Sequence, residues 1–347
     1  MAEIFSTCPV PTEGKKTVSL AHGGGGRLMH DLIEKVFVAN FRNPHLEEMH
    51  DGAKIEIGKS KLAFSTDSYV VKPLFFPGGD IGKLAVTGTV NDLAMCGSIP
   101  KYLSAGFIIE EGFPIEDLER IAESMKTTAK MAGVELVTGD TKVVDKGKGD
   151  GVFINTAGIG FIENSIKIGP MEVRPGDAII LNGDIGRHGM AIMAKREGLA
   201  FETTIESDCA LLNEIAQAAM GAGEVHCMRD LTRGGLATSL IEIANSCRLD
   251  MHIEENSIEV EEQVHGACEL LGIDPLYVAN EGRFVVIAAK SDAQRILGAM
   301  QSHEIGRGSK IIGHVLESRD GMVTITSPIG ATRILDMLSG EQLPRIC

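Results

Sequence analysis

Val134-Glu135-Leu136-Val137-Thr138-Gly139-Asp140-Thr141-Lys142 carries the pattern that decides the fold class. Its first five residues read as a strand of apolar and β-branched types, and Gly139-Asp140-Thr141-Lys142 follows that strand. Upstream, Pro114 opens a helix with Ile115, Leu118, Ile121, Ala122, Met125 and Ala129 on one face. Before it, 101–110 reads as a strand. Ile81–Cys96 reads as a helix that turns Leu84, Ala85, Val90, Leu93 and Ala94 inward and contains Asn91-Asp92. Asp51-Gly52-Ala53 opens a strand region whose next strand, 61–66, ends at Asp67. Downstream, 152–160 is a further strand. Strands and helices alternate, which predicts an α/β or α+β fold.

The second half repeats the mixture. Strands are predicted at 178–182, 283–289 and 310–316, and helices at 189–197, 210–220, 234–247, 261–271 and 292–301. Val173-Arg174-Pro175-Gly176-Asp177 is a turn, and a domain boundary is expected just before it. The expected division is therefore 1–44 (a loose leader, a glycine loop and a helix), 45–170, 171–338, and a mobile tail at 339–347. The total of 347 residues suits about two domains of ~100–200 residues each.

Composition narrows the function. The formal charge is −15 and no lysine or arginine run stands out, so nucleic acid and anionic membrane are poor partners. Seven cysteines, an odd number with no C-x-x-C, argue against a disulfide framework or zinc knuckle and fit a reducing cytoplasm. The polar, proline-broken start is not a secretory signal, and no apolar run approaches ~18 residues. The ten histidines form no H-E-x-x-H pair.

Chemistry gathers at three places. His22-Gly23-Gly24-Gly25-Gly26 precedes a helix, so its backbone N–H groups can approach an anion, yet it matches neither the Walker nor the Rossmann pattern. Asp51, Asp67, Asp92, Asp140 and Asp230 stand at element ends or beside small residues. Each alone reads as a turn or cap residue, whereas together they form an oxygen-donor set suited to magnesium and, through it, a triphosphate. Lys142 follows Asp140 closely and could meet a phosphate oxygen. The last stretch, Gly340-Glu341-Gln342-Leu343-Pro344-Arg345-Ile346-Cys347, predicts a short extended arm with a thiol at its tip.

These segments bring the chain to a resemblance. His22–Gly26, Ser65-Thr66-Asp67-Ser68-Tyr69-Val70, Lys72–Gly82, Asn91-Asp92-Leu93-Ala94, Val137–Val144, Asp230-Leu231-Thr232-Arg233-Gly234-Gly235, Ala279-Asn280-Glu281-Gly282 and the closing Pro344-Arg345-Ile346-Cys347 resemble the HypE family of hydrogenase maturation factors. That family belongs to the wider aminoimidazole-ribonucleotide-synthetase-like (PurM-like) superfamily. The resemblance runs from about His22 to the last residue. It implies a two-domain architecture, with an N-terminal ATP-binding domain that shares a β-barrel-like core with a second copy, and a mixed α/β C-terminal domain. It implies a homodimer that dehydrates a carbamoyl group on Cys347 with ATP, leaving a thiocyanate. A HypF-like carbamoyltransferase would load the thiol, and a HypC–HypD complex would accept the cyanide for the iron of a [NiFe]-hydrogenase.

By the same resemblance Asp51, Asp67, Asp92 and Asp140 would hold magnesium and the phosphates, with His22, the Gly23–Gly26 loop and Asp230 also at the nucleotide. Lys142 would stabilise developing charge and Glu281 would take the N–H protons, with Arg233 a further catalytic candidate. Two alternatives stand beside this reading. A selenophosphate-synthetase-like or thiamine-phosphate-kinase-like phosphotransferase would use the aspartates without the terminal cysteine. A thiol carrier without catalysis would use the cysteine without the aspartates.

Overall fold

The computed structural model describes residues 17–198, 204–318, 320–338 and 346–347. Most of the expected leader, with Cys8, and the 339–345 part of the expected arm lie outside the described residues.

The described chain begins with a 3-10 turn at Leu20–Gly23 and short helices α1 (Arg27–Leu32), α2 (Ala39–Phe41) and α3 (Pro44–Glu47). Strands β1 (Ala53–Ile57) and β2 (Ser60–Tyr69) follow, then a two-strand hairpin β3 (Phe75–Phe76) and β4 (Gly79–Asp80). Helix α4 (Ile81–Met95) leads to β5 (Ser98–Glu110), α5 (Ile115–Ala132), β6 (Glu135–Val144) and β7 (Val152–Ile162). The first large sheet has the order β1-β2-β7-β5-β6; only β5 and β6 run parallel, as a strand–helix–strand crossover requires.

Asp80 caps α4 through its side chain, which accepts from the N–H groups of Gly82 and Lys83. Of its residues only Lys83 and Asp92 escape burial, so α4 is apolar nearly all round and must be covered on every side. It packs on β2, β5 and β7, and also on α5, α7 (Asn213–Ala222) and β9 (Val225–Asp230). Helix α4 is thus the wedge between the two halves of the chain, and Asp92 sits on it.

The second sheet gathers β8 (Ala178–Leu181), β9, β10 (Met251–Glu254), β11 (Phe284–Ala288), β12 (Lys310–Val315), β13 (Val323–Thr326) and β14 (Thr332–Leu335). Their order is β14-β13-β10-β12-β8-β11-β9, with only β10 and β13 parallel. Helices α7, α8 (Gly235–Cys247) and α10 (Ala293–Gln301) cover it, while α6 (Arg187–Glu197) and α9 (Glu262–Leu271) pack together in the core that also holds α4. Ile179 and Leu181 face the layer that holds α8, while Ala178 and Ile180 face α7 and α10. Both faces are covered, which is why Ala178–Leu181 is an unbroken apolar run.

The structure corrects several expectations. Asp67 lies inside β2 rather than beyond its end, and Gly139–Lys142 lies inside β6 rather than after a strand. Strands β9, β10, β13 and β14 were not expected; three of them are only four residues long, too short to declare a period. Helix α7 starts at Asn213 rather than Ala210, because Asn91 Oδ1 accepts the N–H of Leu212 at 2.8 Å and holds 210–212 out of the helix.

Candidate functional site

Six carboxylates and two guanidinium groups converge where α4 meets the end of β9. Asp92 Oδ2 accepts from Ser65 Oγ on β2 at 2.6 Å, and Ser65 Oγ lies 3.2 Å from the Asp51 carbonyl oxygen. Asp51 pairs through Oδ1 with Arg229 Nε at 3.2 Å, and Arg229 Nη2 meets Glu242 at 3.0 Å. Asp230 closes β9, Asp67 faces inward from β2, and Glu281 lies in the loop before β11.

Burial dominates the electrostatics. It pushes the Asp51 carboxyl up to about 6, with Arg229 opposing. Asp92 is raised well above the usual carboxylate range, by burial and then by the charges of Asp230, Asp51 and Asp67. Asp230 is raised by burial and Asp51, and Glu281 by burial and Asp230. Asp51 Oδ2 and Glu281 Oε1 are buried with no hydrogen-bond partner. Unpaired carboxylate oxygens under mutual repulsion suit a hard cation. Among the described residues no three His, Cys, Asp or Glu side chains stand close enough to hold an ion alone. A magnesium ion here would need ligand oxygens as well, the habit of magnesium at phosphates.

Glu281 is fixed by its neighbours. Its N–H and that of Gly282 donate to Asp208 Oδ2, at 3.3 and 3.1 Å. Asn280 accepts the N–H of Gly186 at 2.7 Å and donates to the Leu231 carbonyl, tying this loop to α6 and to the Asp230 loop. Behind Asp208 opens a cavity of about 360 Å³ lined also by Asp184, Arg187, Ser207 and Arg283.

The glycine loop closes one side. Gly25 has φ +76°, and a Cβ there would meet the Arg233 carbonyl carbon at 2.8 Å, so only glycine brings this loop so close. Arg233 Nη1 donates to the Gly23 carbonyl at 3.4 Å. His22 is held within its own turn by Ser19.

The chain end reaches this site. The Val70 N–H donates to a terminal oxygen of Cys347 at 3.0 Å, and the Ile346 side chain is buried in the core around α4. Cys347 is half-buried, and burial pushes its thiol up to about 12; Arg233 opposes this, while Glu281, Asp67 and Asp230 add to it. Cys347 in turn is the main influence raising Arg233. Of the expected arm, the described residues Ile346–Cys347 are docked at this site.

Family models described as AIR synthase related protein, N-terminal domain and C-terminal domain match residues 49–162 and 174–326. The carbamoyl dehydratase HypE of Azotobacter vinelandii is 50% identical over 332 residues, 95% of this chain and 97% of that one. The chain belongs to the HypE family of carbamoyl dehydratases. HypE structures share its fold: one from a HypE–HypF complex has a TM-score of 0.84 at 47% identity, covering 88% of this chain and 99% of that one. One of HypE in complex with ATP has a TM-score of 0.80 at 45% identity, covering 95% and 100%. The fold is PurM-like, two mixed α/β halves in series.

Within this chain the expected site residues divide into two sets. Asp51, Asp67, Asp92, Asp230, Arg233, Glu281 and Cys347 come together, with the Gly23–Gly26 loop against Arg233. Asp140 and Lys142 do not join them in one chain. They pair with each other at 2.6 Å on the exposed face of β6, each side chain 67% exposed. Strand register puts Asp140 level with Gly106, Asn155 and Ser68, on the sheet face away from α4 and roughly 14 Å from β2. That face also exposes Phe64, Ile108 and Phe161. Residues the sequence reading missed are Ser65, Arg229, His188, Ser207 and Asp208. Arg229 alone carried a signal, as a cation beside Asp230; the others sit in plain contexts.

Proposed function

We propose that the chain dehydrates a carbamoyl group carried on its own Cys347, using ATP, and so makes the cyanide ligand for the iron of a [NiFe]-hydrogenase. The observation that carries this is the docked Cys347, set among Arg233, Glu281, Asp67 and Asp230. A phosphotransferase acting on a free substrate gives no reason for a docked terminal thiol, and a thiol carrier gives no reason for buried, unpaired carboxylates.

The overall change balances: S-carbamoyl-cysteine and ATP give S-cyano-cysteine, ADP, phosphate and one proton. Bound ATP with magnesium supplies the phosphoryl group that turns the carbamoyl oxygen into a leaving group. Asp51, Asp67, Asp92 and Asp230 would supply oxygen ligands to that pair, with the phosphates completing the set. Glu281, buried and drawn towards its neutral form, readily takes up an N–H proton; Asp208 fixes the backbone that carries it. Arg233 faces the cargo sulfur and offsets nearby negative charge. Burial of Ile346 excludes water around the reacting end.

Partners follow from the same reading. The HypE–HypF complex supports a HypF-like enzyme as the source of the carbamoyl group, and the HypE–ATP complex supports ATP as the co-substrate. A HypC–HypD complex as cyanide acceptor completes the scheme. A second copy covers the exposed apolar face of β2, β5, β6 and β7, which brings Asp140 and Lys142 into an interface. The six described cysteines are free, in keeping with a cytoplasmic setting, and no helix among the described residues is long and apolar enough to cross a membrane.

The test is the mass of the C-terminal peptide after incubation with a carbamoylating partner, carbamoyl phosphate and Mg-ATP. A carbamoyl adduct on Cys347 that loses one water only with ATP is expected. Cys347→Ala keeps the fold and gives no adduct and no cyanide ligand. An adduct that ATP leaves unchanged, or normal hydrogenase maturation with Cys347→Ala, refutes the proposal.

A further inference from the structure

Two hydrogen bonds hold the end of the tail. One is the Val70 N–H to the terminal oxygen of Cys347. The other joins His188 Nε2 to the Ile346 carbonyl oxygen. His188 is wholly buried and stands edge-on to Phe76, with ring centroids 5.5 Å apart.

The protons on this imidazole follow from its partners. A carbonyl oxygen only accepts, so Nε2 carries the hydrogen. Burial favours the neutral ring, which leaves Nδ1 bare. Ser207 Oγ lies 2.8 Å from Nδ1 and accepts the Cys209 N–H at 3.0 Å, so its own hydrogen goes to Nδ1. Ser207 thus fixes the tautomer that presents Nε2–H to the tail. His188 sits in the first turn of α6, and that turn is tied to the Glu281 loop by Gly189 N–H to the Ala279 carbonyl at 3.0 Å and by Asn280 to Gly186. The group that grips the tail is therefore tied directly to the loop that carries Glu281.

We infer that His188 is a positioning residue for the dehydration: it donates from Nε2 to the Ile346 carbonyl and so holds the cargo on Cys347 against Arg233 and Glu281. The inference deepens the dehydratase reading and rests on it. A single neutral hydrogen bond suits a tail that must also leave to be loaded. In the released tail water serves the carbonyl, so losing the grip shifts the docked population by roughly tenfold rather than abolishing docking.

The test separates loading from dehydration. Wild type, His188→Leu, His188→Gln and Ser207→Ala are each loaded by the carbamoylating partner with carbamoyl phosphate, and the C-terminal peptide mass is followed before and after Mg-ATP. Unloaded chains are treated with iodoacetamide, and alkylation of Cys347 is timed. In His188→Leu, loading proceeds at least as fast as in wild type, alkylation is about tenfold faster, and loss of water is about tenfold slower. His188→Gln, which keeps an N–H donor, recovers part of the dehydration rate. Ser207→Ala keeps the ring in place and moves all three readouts the same way, so the inference stands or falls even where the leucine variant misfolds. Unchanged alkylation and dehydration in the variants overturn it. Slower loading together with slower dehydration also overturns it, since that is general damage. If wild type forms no thiocyanate, the dehydratase reading fails, and the alkylation rates alone still decide whether His188 grips the tail.

Discussion

Asp51→Asn should stabilise the ligand-free protein at neutral pH and do nothing in acid. The Asp51 carboxyl moves from 3.8 to about 6 on folding, with the help of Arg229 already included. Its folded value is raised, so below 3.8 it is protonated in both states and contributes nothing. As pH rises towards about 6 the unfolded chain gives up this proton while the folded chain keeps it, and stability falls. Above that window the full cost is present. A shift of about two units is worth about 3 kcal/mol. Asparagine mimics the protonated side chain and still accepts from Arg229, so it escapes the cost. For a domain of this size that is about 6–12 °C in Tm. Calorimetry of both chains in chelator at pH 4 and pH 7.5 reads the difference directly. The gap should open between the two pH values, and Mg-ATP should raise the Tm of wild type more than that of the variant. A gap that is constant with pH, or a variant less stable at pH 7.5, would refute the account of a buried charge waiting for a cation.

Two further outcomes follow from the same placements. Arg229→Met strands Asp51 and Glu242 without their shared cation, and should cost about 3–5 kcal/mol in a urea titration, partly restored by adding Asp51→Asn. Lys142→Ala should leave the fold of the chain intact, because its pair with Asp140 lies outside the core, yet stop thiocyanate formation. Mixed with Cys347→Ala chains it should regain activity, since a hybrid pair then holds one intact thiol and the opposing lysine; no recovery rules out a role across the interface.

The fold class was legible because periodicity is local. The stripe of α5 and the apolar run of β8 declare themselves in a few residues. The four-residue strands β13 and β14 do not: so short a stretch carries little pattern, and β13 is fixed in the sheet by β10, about 70 residues upstream. The site was legible in part for the same reason. Asp92, Asp230 and Glu281 sit in distinctive contexts, but which of the acids meet depends on the sheet face each occupies. Asp140 reads like the others and lies on the opposite face, a difference of one residue in strand register. His188 and Asp208 were invisible because each acts on a segment more than 70 residues away.

The charge of the site also bears on which tail it accepts. Docking moves the Cys347 thiol from 9.0 to about 12, so the pocket disfavours a thiolate by about a thousandfold. Near neutral pH the free thiol is protonated in either place, and the penalty is small. An S-carbamoyl group and an S-cyano group carry no ionisable proton on sulfur and escape it altogether. The same buried acids that a metal ion and phosphates would neutralise therefore select for neutral cargo at the chain end.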